Sequence, residues 1–236
     1  MSLIQAAIVV ALRDAQPAPR ILLVHRNPEL PVQGDAWAFP GGHISVADTL
    51  QGPGMDKAVA CAVREVSEET GLNLSPAGLK LMARWISPRE VRPRFDTWMY
   101  ITVTRQHGVE VDGREIVGHH WYGAGEALSA HHRGDIMLSP PAFVILSNLA
   151  AHHQIDTMLS EMIGKPAPRF EPRLVTLPDG KCALYYGDGA YDDRDIERSG
   201  PRHRLWMRSS GWRYERTFED RKYGQAGLSS SDQHAL

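Results

Sequence analysis

The chain has 236 residues, a formal net charge of −2 and 42% hydrophobic residues. That is enough apolar material for a packed core, and the near-neutral balance argues against nucleic acid or an anionic membrane as the main partner. The only two cysteines, Cys61 and Cys182, stand far apart, and nothing in their placement suggests a disulfide scaffold or a structural zinc site.

In chain order, residues 6–12 and 20–25 are short β-branched runs separated by Asp14-Ala15-Gln16-Pro17-Ala18-Pro19, the pattern of a hairpin. The first residues lack the basic region of a signal peptide and are too short to span a bilayer, so they read as the first strand. A soluble, reducing, cytoplasmic setting is the expectation. A third short strand covers 36–39, and the stretch 43–55, with Gln51-Gly52-Pro53-Gly54, reads as an inserted loop. Residues 56–70 read as a helix whose stripe Val59, Val63 and Val66 would face a sheet, and Gly71 would end it. Strands are expected at 79–86, 98–104 and 116–122, the last leading into Gly125-Glu126-Ala127-Leu128. Strands alternating with a central helix imply a mixed α/β sandwich.

After Ser139-Pro140-Pro141 the character changes. A helix is expected over 142–163, carried by Phe143, Leu146, Leu149 and Ala150. Beyond it come proline-interrupted, strand-like pieces around 183–186 and 204–207. The expected organisation is a core over 1–140 and a helix plus β-rich extension over 141–236 packed on it, with the tail from about residue 227 flexible.

The chemistry concentrates in Arg64 to Leu72, R-E-V-S-E-E-T-G-L, shortly after Phe39-Pro40-Gly41-Gly42. On a helix Glu65, Glu68 and Glu69 share one face, where like charges repel. Hard carboxylate oxygens suit Mg²⁺ or Mn²⁺. A solvated acidic face explains the same spacing, and spacing alone leaves both readings open.

These residues resemble the signature of the Nudix hydrolase family: a glycine, a spacer, an acidic residue, seven residues, then R-E-aliphatic-x-E-E-x-G-aliphatic. Arg64 to Leu72 matches its second half throughout. The first half departs, with Asp56 where the family usually has Glu and a longer spacer after Gly42. The resemblance implies a Nudix-type α/β/α sandwich with a mixed sheet, extended here by the C-terminal helix and β-rich segment. It implies a Mg²⁺- or Mn²⁺-dependent pyrophosphatase acting on a nucleoside diphosphate linked to another moiety. Glu65, Glu68 and Glu69 resemble its metal ligands, with Glu68 and Glu69 also catalytic, and Gly42 lends a backbone carbonyl. Arg64 resembles the arginine that orients the glutamates. Asp56 is either a further member or a helix N-cap.

Glu115 stands where similar sequences carry an acidic residue able to reach the metal, a candidate base. Its other reading is a surface glutamate paired with Arg114 or Arg133, and Glu110 is a weaker rival. Trp85-Ile86-Ser87-Pro88 and Arg94-Phe95-Asp96-Thr97 resemble a paired motif in the branch containing peroxisomal and mitochondrial coenzyme A diphosphatases. That places CoA or acyl-CoA among the substrates, with Arg26 a candidate for touching a phosphate and Arg94 for facing the substrate; a strand-end surface arginine at 26 and an ion-paired turn at 94–97 are the other readings. A further motif of such enzymes is kept only at Leu22, Leu23 and Arg26; Val24, Asn27, Pro31 and Asp35 depart from it. The adjacent pairs His119-His120, His131-His132 and His152-His153 diverge on a strand or helix and are not read as chelators. ADP-ribose, NADH and nucleotide sugars are alternative substrates, and a non-catalytic nucleotide-sensing module is the alternative function. No nucleic-acid or membrane partner is expected. A homodimer is compatible with the resemblance.

Overall fold

The first apolar run becomes the longest strand, β1 (Ile4–Arg13), buried on both faces over most of its length. In the computed structural model, which describes residues 3–48, 56–160 and 165–217, it lies in the middle of a mixed sheet. It pairs antiparallel with β2 (Arg20–Arg26) across the expected hairpin and with β4 (Gly41–His43), and parallel with β6 (Phe95–Val103). Between β2 and β4 comes β3 (Ala36–Ala38). The outer strands are β5 (Lys80–Ile86), antiparallel to β6, and β7 (Ile116–Gly123), antiparallel to β2. β8 (Met137–Leu138) pairs with β3.

Strand alternation sorts β1 between two apolar layers. Ala7, Val9 and Ala11 face α1 (Lys57–Thr70), together with Leu22, Trp98, Tyr100 and Trp121. Val10 and Leu12 face the other way, toward α2 (Ala124–Arg133) and α3 (Pro140–Leu149). The result is an α/β sandwich around a mixed sheet. Among the described residues no helix is long and apolar enough to cross a membrane.

The layer on α1 corrects the expected helix stripe. Ala58, Cys61, Ala62 and Val66 face the sheet, while Val59 and Val63 are only half-buried flanks. Both sets have helical spacing, but the small residues let the helix approach the strands closely. Asp56 caps α1 by accepting from the Ala58 N–H at 2.8 Å, and Gly71 ends it at φ 69°.

The helix expected over 142–163 is broken. α3 stops at Leu149 and a shorter α4 (Ile155–Ser160) begins after a turn, while residues 161–164 lie outside the described residues. Apolar positions run out at Ala150, and Ala151-His152-His153-Gln154 offers nothing to bury, so tertiary packing no longer supports the helix there. Met158, 3% exposed, anchors the second piece. α2, for which the sequence assigned no element, follows β7 directly and is closed by Gly134 at φ 79°.

The C-terminal segment shares the core. β9 (Arg169–Phe170) adds to the edge of the main sheet beside β5, and Phe170 stacks on Trp85 with ring centroids 4.8 Å apart. A separate antiparallel sheet follows: β10 (Arg173–Leu177), β11 (Gly180–Leu184), β12 (His203–Arg208) and β13 (Gly211–Arg216). Ala183, Tyr185 and Leu205 from this segment pack with Trp85, Met99 and Phe143. The tail expected to be flexible, and positions 49–55 of the insert, lie outside the described residues.

Candidate active site

The second half of α1 runs past β4, and this crossing builds the site. Glu69 is 2% exposed. One of its carboxylate oxygens, Oε2, accepts the Gly41 N–H at 2.8 Å. The other, Oε1, is buried with no hydrogen-bond partner. Burial is the main force pushing this carboxyl up to about 8; Glu65 and Glu115 push the same way, against the Gly41 N–H and Arg26. A buried carboxylate with a free oxygen is costly unless a cation completes it.

Glu65, one turn earlier, is also raised, chiefly by burial and then by its acidic neighbours Glu68 and Glu115, with Arg64 opposing. Its carboxylate lies against Gly42, where an added Cβ would fall 2.4 Å from Glu65 Cδ. The missing side chain is therefore what admits Glu65. Gly42→Ala should keep the fold, because the colliding atoms are the end of a flexible side chain, while displacing Glu65 and lowering kcat about tenfold or more. Activity assays beside circular dichroism would check it; unchanged turnover would refute a role for Glu65 in its present place. Gly41 is constrained more severely. Its φ is 143°, and a Cβ there would meet the Ala7 carbonyl oxygen at 2.2 Å.

Arg64 organises the cluster. Its Nε and Nη2 donate to the two carboxylate oxygens of Asp48 at 2.7 and 3.0 Å. Its Nη1 sits 2.8 Å from Glu65 Oε1 and donates to Glu68 Oε2 at 3.0 Å. Its Nη2 also donates to the His43 carbonyl. Asp48 is 3% exposed, and its hydrogen bond from Arg64 holds its carboxyl below the ordinary range despite burial. Asp48 is a site residue to which the sequence assigned no role. It precedes Arg64 by 16 positions with no periodicity to connect them.

Arg26 and Glu115 arrive together from the β2–β7 edge, where a register shift after His25 sets Arg26 opposite Ile116. Arg26 lowers and Glu115 raises the carboxyl of Glu69, so both stand within electrostatic reach of the cluster. Arg26 Nε is buried without a hydrogen-bond partner.

Other expected members are not brought here. Arg94 donates to the Ser87 carbonyl at 3.3 and 3.1 Å and faces Glu171 at 3.8 Å, so its contacts tie the β5–β6 turn to the C-terminal segment. Asp96 takes a two-pronged bond from Arg84 at 2.7 and 2.6 Å. Asp56 is the N-cap and accepts from the Tyr100 hydroxyl at 3.3 Å. Of the histidine pairs, His120 packs on Tyr122, and His131 accepts from the Leu138 N–H.

Among the described residues no three acidic, histidine or cysteine side chains stand ready to chelate one ion. Arg64 draws Glu65 and Glu68 toward itself, and Glu68 is exposed enough to turn freely. The donor set nonetheless fits a hard divalent cation: clustered carboxylates, the unpartnered Glu69 Oε1 and the space left by Gly42.

A family model described as the NUDIX domain matches residues 3–138, more than half of the chain. The chain belongs to the Nudix family. As a Nudix hydrolase it acts on phosphorus-containing anhydride bonds in nucleoside diphosphate derivatives, and members of the family generally use divalent metal ions. A solved NUDIX hydrolase from Alicyclobacillus acidocaldarius is similar with a TM-score of 0.59 at 20% identity, covering 68% of this chain and 96% of that one. The NUDIX domain of Shewanella oneidensis NrtR, complexed with ADP ribose, gives 0.48 at 16% identity over 62% and 86% of the two chains. A C. elegans Ap4A hydrolase gives 0.43 at 19% identity over 66% and 99%. No curated protein matches the chain.

Proposed function

We propose that this Nudix hydrolase uses Mg²⁺ or Mn²⁺ to cleave the diphosphate bridge of a nucleoside diphosphate linked to a further group. The observation that carries the reading is Glu69, buried with one oxygen unpartnered beside Glu65 and Gly42. Glu65, Glu68, Glu69 and the Gly42 carbonyl would hold the ion. Bound there, a divalent cation supplies charge neutralisation at the phosphoryl oxygens and a more acidic water.

The protein's own groups do the rest. Arg64, fixed by Asp48, sets the spacing of Glu65 and Glu68. Arg26 meets a substrate phosphate with its guanidinium. Glu115, exposed and within electrostatic reach of Glu65 and Glu69, accepts the proton of the attacking water. Arg94 carries no part in this reading, because its contacts are with Ser87 and Glu171. The buried free thiols Cys61 and Cys182 fit a reducing, cytoplasmic setting.

Coenzyme A and acyl-CoA belong to this substrate class. The resemblance at residues 85–88 and 94–97 supports them, but Arg94 and Asp96 are engaged within the protein, and the upstream phosphate motif is incomplete. The deciding experiment is a product-release screen with Mg²⁺ and with Mn²⁺ over CoA, acyl-CoAs, NADH, ADP-ribose, dinucleoside polyphosphates and nucleotide sugars. Metal-dependent cleavage of at least one into two phosphorylated products is expected. Binding without turnover across the panel would refute the enzymatic reading in favour of a sensing module.

A further inference from the structure

Glu115 lies in an exposed loop, a poor place from which to aim a carboxylate unless the backbone is held. It is held on both sides. The peptide before it is bonded through the Arg114 carbonyl, which accepts from Asn27 Nδ2 at 2.8 Å. The peptide after it is bonded twice: the Glu115 carbonyl accepts from the Asn27 N–H at 2.8 Å, and the Ile116 N–H donates to Asp112 Oδ1 at 3.1 Å. Asp112 Oδ1 also accepts from the Arg114 N–H at 2.6 Å, and Gly113 N–H bonds the Ile116 carbonyl. Asn27 is itself fixed, since its Oδ1 accepts from the Glu29 N–H at 3.0 Å.

Both torsions that aim Glu115 therefore sit between anchored peptide units. The anchor grows directly from Arg26 at the end of β2, so the loop is registered to the strand carrying the other site group.

We propose that Asn27 and Asp112 form a clip that aims Glu115 at the carboxylate cluster, which makes them positioning residues for hydrolysis. This rests on the reading of Glu115 as the proton acceptor. Asn27→Ala removes the bond to the Arg114 carbonyl, and Asp112→Ala removes the one oxygen that accepts from both the Arg114 and Ile116 N–H groups. Asp112→Asn keeps the accepting Oδ1 and rescues the loss.

The test measures kcat, KM and Mn²⁺ affinity for N27A, D112A, D112N and E115Q, and for N27A and D112A in the E115Q background. Expected is a fall in kcat of about tenfold for N27A and D112A, with KM and Mn²⁺ affinity nearly unchanged and D112N close to wild type. With Glu115 already replaced, neither substitution should cost anything further. Losses that multiply with that of E115Q, or no loss beside a damaged E115Q, would overturn the clip while leaving Glu115 its role. A fall in Mn²⁺ affinity or in melting temperature matching the fall in kcat would overturn it too, by showing general loosening of the loop. An E115Q protein of full activity would remove the reading of Glu115, and the clip with it.

Discussion

Glu69→Gln is expected to lower kcat by about 10²- to 10³-fold or more while making the metal-free protein more stable at alkaline pH. The opposing signs have one cause. Burial pushes the Glu69 carboxyl up to about 8 from an ordinary 4.5, so the folded state favours its neutral form. A raised pKa contributes stability that is fully present below the ordinary value and is lost as pH rises through about 8. Between those limits the loss is on the order of 5 kcal/mol. Glutamine is neutral throughout and similar in shape, so it escapes the loss but cannot supply an anionic ligand. Thermal melts in chelator should show the two proteins alike near pH 4.5 and the variant more stable near pH 9. Added Mg²⁺ should then raise the melting temperature of the wild type far more than that of the variant. Identical pH dependence of the two proteins would refute the buried, unsatisfied state of this carboxylate.

The second large effect lies in the C-terminal segment. Asp188→Asn should destabilise the protein by about 3–5 kcal/mol. Arg204 and Asp188 form an ion pair whose side chains are 1% and 0% exposed. The guanidinium donates through Nε and Nη2 at 2.8 and 2.6 Å, and the carboxylate also accepts the His203 and Ala190 N–H groups at 2.8 and 2.9 Å. Burial pushes the Asp188 carboxyl up, but the bonds from Arg204, His203 and Ala190 outweigh it and hold it below its ordinary value. Asparagine keeps the volume and leaves the Arg204 charge buried and uncompensated. For a chain of this size the melting temperature should fall by roughly 10 °C. Replacing both partners by apolar residues should recover much of the loss. A drop of only a degree or two for Asp188→Asn would show that the pair is hydrated in solution.

The contrast between these two carboxylates explains what could be read ahead of the structure. Glu69 sits in a contiguous run whose spacing shows a shared helix face, and the run matches a family signature. Asp188 and Arg204 are far apart in sequence, in a segment punctuated by prolines, and nothing local marks either as buried. The role of Asp48 was illegible for the same reason: its bond to Arg64 crosses the inserted loop. The strands of the core were legible because β-branched runs between turn residues carry a local signal. The break between α3 and α4 was not, because helical spacing continues through Leu149 and Ala150 and only the absence of a packing surface beyond them ends the helix. The α1 stripe shows the same ambiguity. Two rows of residues had helical spacing, and the sheet selected the smaller one.

By itself, the order of residues determined the α/β class, the helix that carries Glu65, Glu68 and Glu69 and its stop at Gly71. Each depends on neighbours within one or two turns, where spacing and backbone preference act directly. Only the tertiary structure decided that Glu69 is buried with a free oxygen, that Asp48 holds Arg64, and that Asn27 and Asp112 reach the backbone on either side of Glu115. It also decided that Arg94 turns to Ser87 and Glu171. These outcomes depend on burial and on contacts between distant segments, and those exist only once β2, β4, β7 and α1 have packed together.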